Sequence, residues 1–476
     1  MPLPMHLILR VAACLSAVTL AAGCSSSDAQ AREALSDYQT ATAANDLISA
    51  RKALLKLVHA KDDVPDYWVE LGKLQVSMGS YNDAYYAFTR AYELDRSNVD
   101  ILHAVTELAL RSGDITLAQS HARELEVISP GDPWVKLTNG WAAFTESHFD
   151  QAMAAADSIL ANSPFDPAGT VLKARALLSL NRQDEAMDLL NKQMQAQPMD
   201  MSSRQLLAKI YVQQNNWGKA VDVAKPLIRA NPVDQESALL LIEAALRSGN
   251  IAVARQASLR VLAPNAEPTT ISSVLDLWAN YWPSTQRIQD ARALASKAAG
   301  RDQRLAYAAF LSRAGSPADA IAISAPAAGL PVSAQNAEAN AVLADAWSRS
   351  GNTEAAKSRF DAVIAFDPGN ATALRGRAEL ELRTGKAAAA IMDAQKLTTV
   401  LPNSSRDRLL LARCYSAAGN KAWSDRTLWS AFQAIPADEN IYAALQLTRK
   451  GNSEATRDLQ EEFDRHRNAK IFRGFL

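Results

Sequence analysis

An all-α fold, an α-solenoid of stacked helical hairpins, is what the sequence predicts, and three periodic marks predict it. Alanine recurs at Ala50, Ala84, Ala118, Ala152, Ala186, Ala220 and Ala254, each 34 residues after the last. Proline falls in the same frame at Pro130, Pro164, Pro198 and Pro232, and again at Pro368, Pro402 and Pro436. A glycine, asparagine or serine stands near the middle of each period, from Asn45, Gly79 and Gly113 to Gly351, Gly385 and Gly419. A fixed period of this length marks one supersecondary unit repeated, because a lone hairpin cannot bury its apolar face. The step from Pro232 to Pro368 is 136 residues, or four periods of 34, so the frame survives a less regular middle.

The N-terminal residues belong to targeting and not to the fold. His6 and Arg10 precede an apolar run, residues 11–22, too short for a permanent membrane span. The run ends Leu20-Ala21-Ala22-Gly23-Cys24, followed by Ser25-Ser26-Ser27-Asp28. This segment resembles a bacterial lipoprotein signal. The resemblance implies a signal peptide over 1–23, lipid attachment at Cys24 and a short lipidated linker over 24–30. Ala21 stands where that family most often has leucine, and an ordinary secretory signal ending near Ala22 is the other reading. Translation from Met5 would leave the signal intact. Only Cys14, Cys24 and Cys414 occur. Cys14 leaves with the signal, so no internal disulfide is expected, and Cys414 among apolar helix positions reads as a buried thiol.

Regular repeats then start at 31, 65, 99, 133, 167, 201 and 235 and occupy 31–266. Irregular repeats follow over 267–336, regular ones over 337–438, and a half-repeat with a charged capping helix over 439–476. Within each unit the fifteenth position carries the turn: Ser147, Asn181, Asn215, Gly249 and Gly315 extend the series above. Glycine and asparagine tolerate the left-handed conformation that ends a helix. The eighth position is small, as in Gly72, Gly140, Ala174 and Ala208, and the twentieth is alanine except at Ser424. Small side chains at both sites let the two helices approach closely. Proline at the thirty-second position cannot continue a helix and closes the unit.

Trp68, Leu71, Gly72, Gly79, Ala84, Phe88 and Ala91 follow the consensus of the tetratricopeptide repeat, which the chain resembles over roughly residues 31 to 450. The resemblance implies a right-handed superhelix whose concave face is lined by the first helices and binds protein partners. The departure is 267–336, where Trp278 and Trp282 stand beside Pro283. A distorted repeat is the expectation there, a functional interruption the alternative.

With 50 basic and 51 acidic residues the chain offers no long-range attraction for nucleic acid. No zinc-protease pair of histidines, phosphate loop or nucleophile elbow occurs, so no enzyme, cofactor or metal site is expected. The second, fifth, ninth and twelfth positions should face the concave side. In the unit from 133 they are Trp134, Leu137, Trp141 and Phe144, a candidate partner-binding stripe for which helix packing is the favoured reading. Further along, the ninth position holds Arg175, Lys209 and Glu243, then Asp345, Glu379 and Arg413, whose mixed signs argue against one highly charged ligand. Lys73 and Glu107 at that position do not form the family's chaperone-tail clamp. The expected function is a lipid-anchored periplasmic scaffold for envelope proteins, sorted to the outer membrane as Ser25 after the cysteine implies. Exopolysaccharide export is the first guess, with pili or a secretion channel behind it. The rival is direct binding of a polysaccharide or peptide in the groove.

Overall fold

The computed structural model describes residues 26–44, 46–230, 234–449 and 453–472. The signal peptide over 1–23, Cys24, Asn45, Pro232 and residues 473–476 lie outside them. Among the described residues there are 26 α-helices, 80% of the chain is helical, and no strand forms. The fold is an all-α helical repeat.

Most regular units pair a helix of 13 residues with one of 14, as in Pro133–Thr145 with Phe149–Asn162 and Pro167–Ser179 with Gln183–Ala196. Ten turn residues from Gly79 to Gly419, all at the fifteenth position, have positive φ between 55° and 93°. Each stops its first helix, because an L side chain rarely continues from that conformation. At the turn after Val99–Ser112, the Gly113 and Asp114 amides donate to the carbonyls of Leu110 and Ala109, both at 3.0 Å. Asp114 then accepts from the Leu117 amide at 2.9 Å and starts the next helix. One turn thus satisfies both helix ends.

Close approach explains the small positions. The twentieth-position alanines from Ala50 to Ala254 are at most 1% exposed. A Cβ added at Gly140 would lie 2.6 Å from Leu172 Cδ2 and 3.0 Å from the Ala155 Cβ, so no larger residue fits without movement. Ser424, the exception in the alanine column, turns its hydroxyl to the Ala412 carbonyl at 2.9 Å. The hydroxyl is buried but satisfied.

Two compact units divide the chain at Arg204 and Gln205, within the helix Met201–Gln213. In the first, Leu54, Trp68, Leu71, Phe88 and Leu102 belong to a core running through successive hairpins. In the second, separate clusters centre on Phe360, on Leu397 with Cys414, and on Phe432 with Leu445.

The first helix, Ser26–Ala43, starts inside the expected linker over 24–30, with Ala31 and Ala34 buried in one core with Leu54 and Leu57 of the helix it pairs with. The irregular stretch holds helices Pro268–Tyr281, Gln286–Lys297, Arg301–Arg313 and Pro317–Ser324, followed by a 3-10 turn, Ala325–Ala327. These are two hairpins, the second with a shortened second helix. Trp278 and Trp282 pack edge to face at 5.1 Å, and Trp278 Nε1 donates to Ser258 Oγ at 3.0 Å. The expected half-repeat is a full hairpin. Helix Glu439–Thr448 pairs with Ser453–Phe472, whose Leu459 and Phe463 are buried while Arg457, Asp458, Gln460 and Glu461 face solvent.

Candidate partner-binding groove

In the second unit the first helices of adjoining hairpins pack side by side: Pro268–Tyr281, Arg301–Arg313, Ala337–Arg349 and Ala371–Arg383. Together with the start of Ser405–Ala417 they line a groove of ≈ 740 Å³. Residues reach it from the second, sixth and ninth positions of successive units, including Asp302, Glu338 and Thr372, then Ala306, Val342 and Gly376, then Ala309, Asp345 and Glu379. The ridge spacing of a helix places these positions on one face.

Charged side chains cross between helices and hold the walls. Arg313 bonds Asp276 through both terminal nitrogens at 3.3 Å. Ser312 donates to Asp345 at 2.5 Å, Arg349 bonds Asp345 at 3.0 Å, and Arg349 also reaches Glu379 at 2.5 Å. Glu379 then accepts from Arg406 at 3.2 Å. Arg375 grips the fully buried Asp407 with two bonds, 2.6 and 2.8 Å. Burial opposes the charge on Arg375, but Asp407 outweighs it and holds the guanidinium above its ordinary value. Arg349 is raised in the same way, with Asp345 and Glu379 overcoming desolvation. Bidentate pairs of this kind are preorganised and directional. The groove is therefore electrically balanced and stiff, with polar and apolar surface in about equal parts, and none of its lining side chains is aromatic.

On the same unit Arg247 lies over the rings of Trp217 at 4.0 Å and Tyr281 at 5.0 Å, and bonds Glu439 at 3.0 Å. That contact ties two helices 192 residues apart.

The stripe read from the sequence lies elsewhere. Trp141 is fully buried and Leu137 is 4% exposed, so neither side chain offers a partner usable surface. Trp141 packs edge to face on Phe144 at 5.5 Å, with the Arg175 guanidinium 5.8 Å from its ring. Trp134 and Phe144 are half-buried, and Trp134 stacks on His103 at 5.8 Å. Leu137 and Trp141 are therefore corrected from recognition to packing, while Trp134 and Phe144 keep part of their surface exposed. The ninth column of the expected positions contains Asp345 and Glu379, whereas the sixth, which supplies Ala306, Val342 and Gly376, was not among them. Arg313, Arg375 and Arg406 were missed, although arginine recurring beside acidic columns was the available signal. Cys414 is fully buried, and burial pushes its thiol up to about 11.

Among the described residues no group of three or more His, Cys, Asp or Glu is placed to hold a metal ion, and no helix is long and apolar enough to cross a membrane. A family model of the tetratricopeptide repeat matches residues 335–399, and that of the Psidin N-terminal tetratricopeptide repeat region matches 136–266. These two stretches of the chain thus carry tetratricopeptide repeats. No curated protein matches it. Similar solved structures include the MamA protein, 15% identical, covering 35% of this chain and 91% of its own, with a TM-score of 0.30. The complex of Naa15/Naa10 bound to HypK-THB is 14% identical over 95% of this chain and 77% of that one, TM-score 0.32. The Cut9-Hcn1 hetero-tetramer is 13% identical over 93% and 94%, TM-score 0.30. Repeats of this family make a protein-interaction scaffold, a fold that is typically non-catalytic.

Proposed function

We propose that the chain is a lipid-anchored envelope scaffold that holds an extended segment of a partner protein in the groove between Pro268 and Arg406. The groove carries this reading: four successive first helices present backbone-sized, partly polar, prearranged walls, which suit the alternating donors and acceptors of a polypeptide. Sugar polymers are commonly gripped by aromatic stacking, and the groove has no aromatic lining. The peptide occupant is favoured over the polymer for that reason. The anchor rests on Cys24 and its small flanking residues, and service in exopolysaccharide export remains the pathway first proposed, ahead of pili or secretion channels.

The test has two arms. Ala306→Trp and Ala309→Trp place bulk in the groove at half-buried positions. Each should abolish capture of the envelope partner while leaving the helix content unchanged; undiminished capture by both would refute the groove. Metabolic fatty-acid labelling should mark the natural chain and not Cys24→Ser. Label retained on that variant would refute the anchor.

A further inference from the structure

The first hairpin carries a surface that partner binding in the groove leaves unused. Its second helix, Leu47–Ala60, buries Ala50, Ala53, Leu54, Leu57 and Val58. On the opposite side Ile48, Lys52, Leu55 and His59 follow one another at helical spacing, with Arg51 and Lys56 beside them, around a shallow open concavity. Ile48 is 62% exposed and Leu55 44%. The equivalent positions of the next unit are Asn82, Tyr86, Thr89 and Glu93, so the apolar-and-basic pattern is not a property of the repeat. The acidic groups facing it are two: Asp83 pairs with Arg51 at 3.0 Å and Asp37 approaches Lys56 at 3.7 Å. Asp46 is engaged at the helix start, accepting from the Ser49 amide.

The course of the chain supplies the second observation. Ser27 Oγ donates to the Ala60 carbonyl at 2.6 Å, and Asp28 pairs with Lys61. The beginning of the described chain is thereby fastened to the C-terminal end of this same helix. Cys24 precedes Ser27 by three residues, at most about 10 Å of extended chain.

The geometry points to the outer face of Leu47–Ala60 as a membrane-docking surface whose occupant is an anionic bilayer. Ile48 and Leu55 enter the boundary between headgroups and acyl chains, and Arg51, Lys52 and Lys56 meet the anionic headgroups. Docking would hold the first hairpin flat against the membrane beside its anchor. Its orientation rests on the proposed lipid at Cys24, whereas the surface can be measured without lipid.

The chain from Ser25 onward keeps every described residue and lacks that cysteine. It should sediment with vesicles of equal parts phosphatidylglycerol and phosphatidylcholine, not with phosphatidylcholine alone, and salt should release it. Lys52→Glu with Lys56→Glu should lower the partition roughly tenfold or more, and Ile48→Ser with Leu55→Ser should lower it as well. These side chains are exposed, so circular dichroism should be unchanged in both variants. Absence of sedimentation, or equal partition of all three chains, overturns the proposal. Fatty-acid labelling of the full chain reads the anchor separately. Label on Cys24 without vesicle binding overturns docking alone; vesicle binding without label supports docking and removes the anchor.

Discussion

Trp141 has no accessible surface, so truncating it tests packing. Trp141→Ala should destabilise by about 3–5 kcal/mol, the cost of a large cavity among groups that cannot fully collapse. Partner capture, measured beside a denaturation curve, should follow only the loss of folded protein. Charge at the residue scale is tested at Asp290. Its carboxylate is bonded by Arg255 at 2.5 and 2.9 Å, which holds it below the usual carboxylate range despite burial. A depressed folded pKa stabilises the fold above the unfolded value, about 3.9, and that contribution is lost as pH falls through the lower folded value. The melting temperature of the natural chain should therefore drop more steeply below about pH 4 than that of Asp290→Asn. Parallel acid limbs would remove the pair from the account.

The hairpin is the element that the turn residue defines. Ser147 adopts φ 63° where most units use glycine. A left-handed conformation costs an L residue about 1–2 kcal/mol, partly offset by the greater chain entropy glycine loses on folding. Ser147→Gly should therefore stabilise by about 0.5–1 kcal/mol. At Gly249, with φ 77°, an added Cβ would meet nothing within 4 Å. Gly249→Ala should still destabilise by about 1 kcal/mol, because the penalty is conformational and not steric. Chemical denaturation of both variants checks the pair of signs.

At the scale of the whole molecule, stability in a repeat fold is a sum of neighbour contacts. Phe463 is 3% exposed and stacks on Tyr442 at 4.2 Å, sealing the core around Phe432 and Leu445. Phe463→Ala should remove amide-exchange protection from helices Ser405–Ala417 to Glu439–Thr448 while protection in Ile115–Ile128 and Pro133–Thr145 persists. Uniform loosening of every helix would contradict stepwise coupling.

Periodic small residues, turn residues and prolines were enough to specify the helices and their pairing, because each acts within one unit of chain. Gly113 breaks its helix wherever the unit sits, and Ala152 admits its neighbour for reasons local to the hairpin. The same local logic placed the second and ninth positions of the first helices at the groove, but not the sixth. It could not say which unit leaves them open, since Trp141 and Asp345 occupy equivalent ninth positions and differ only in what neighbouring helices lay over them. Aromatic side chains there are drawn inward by the apolar area they bury, whereas Asp345 and Glu379 stay at the groove wall, each held by Arg349 from the same or the preceding first helix. Arg349 reaches Asp345 from four positions away on its own helix, but Glu379 from 30 positions away on the next first helix. The repeat was thus determined by the sequence itself, and which of its units leave an open groove by the tertiary packing of one hairpin on the next.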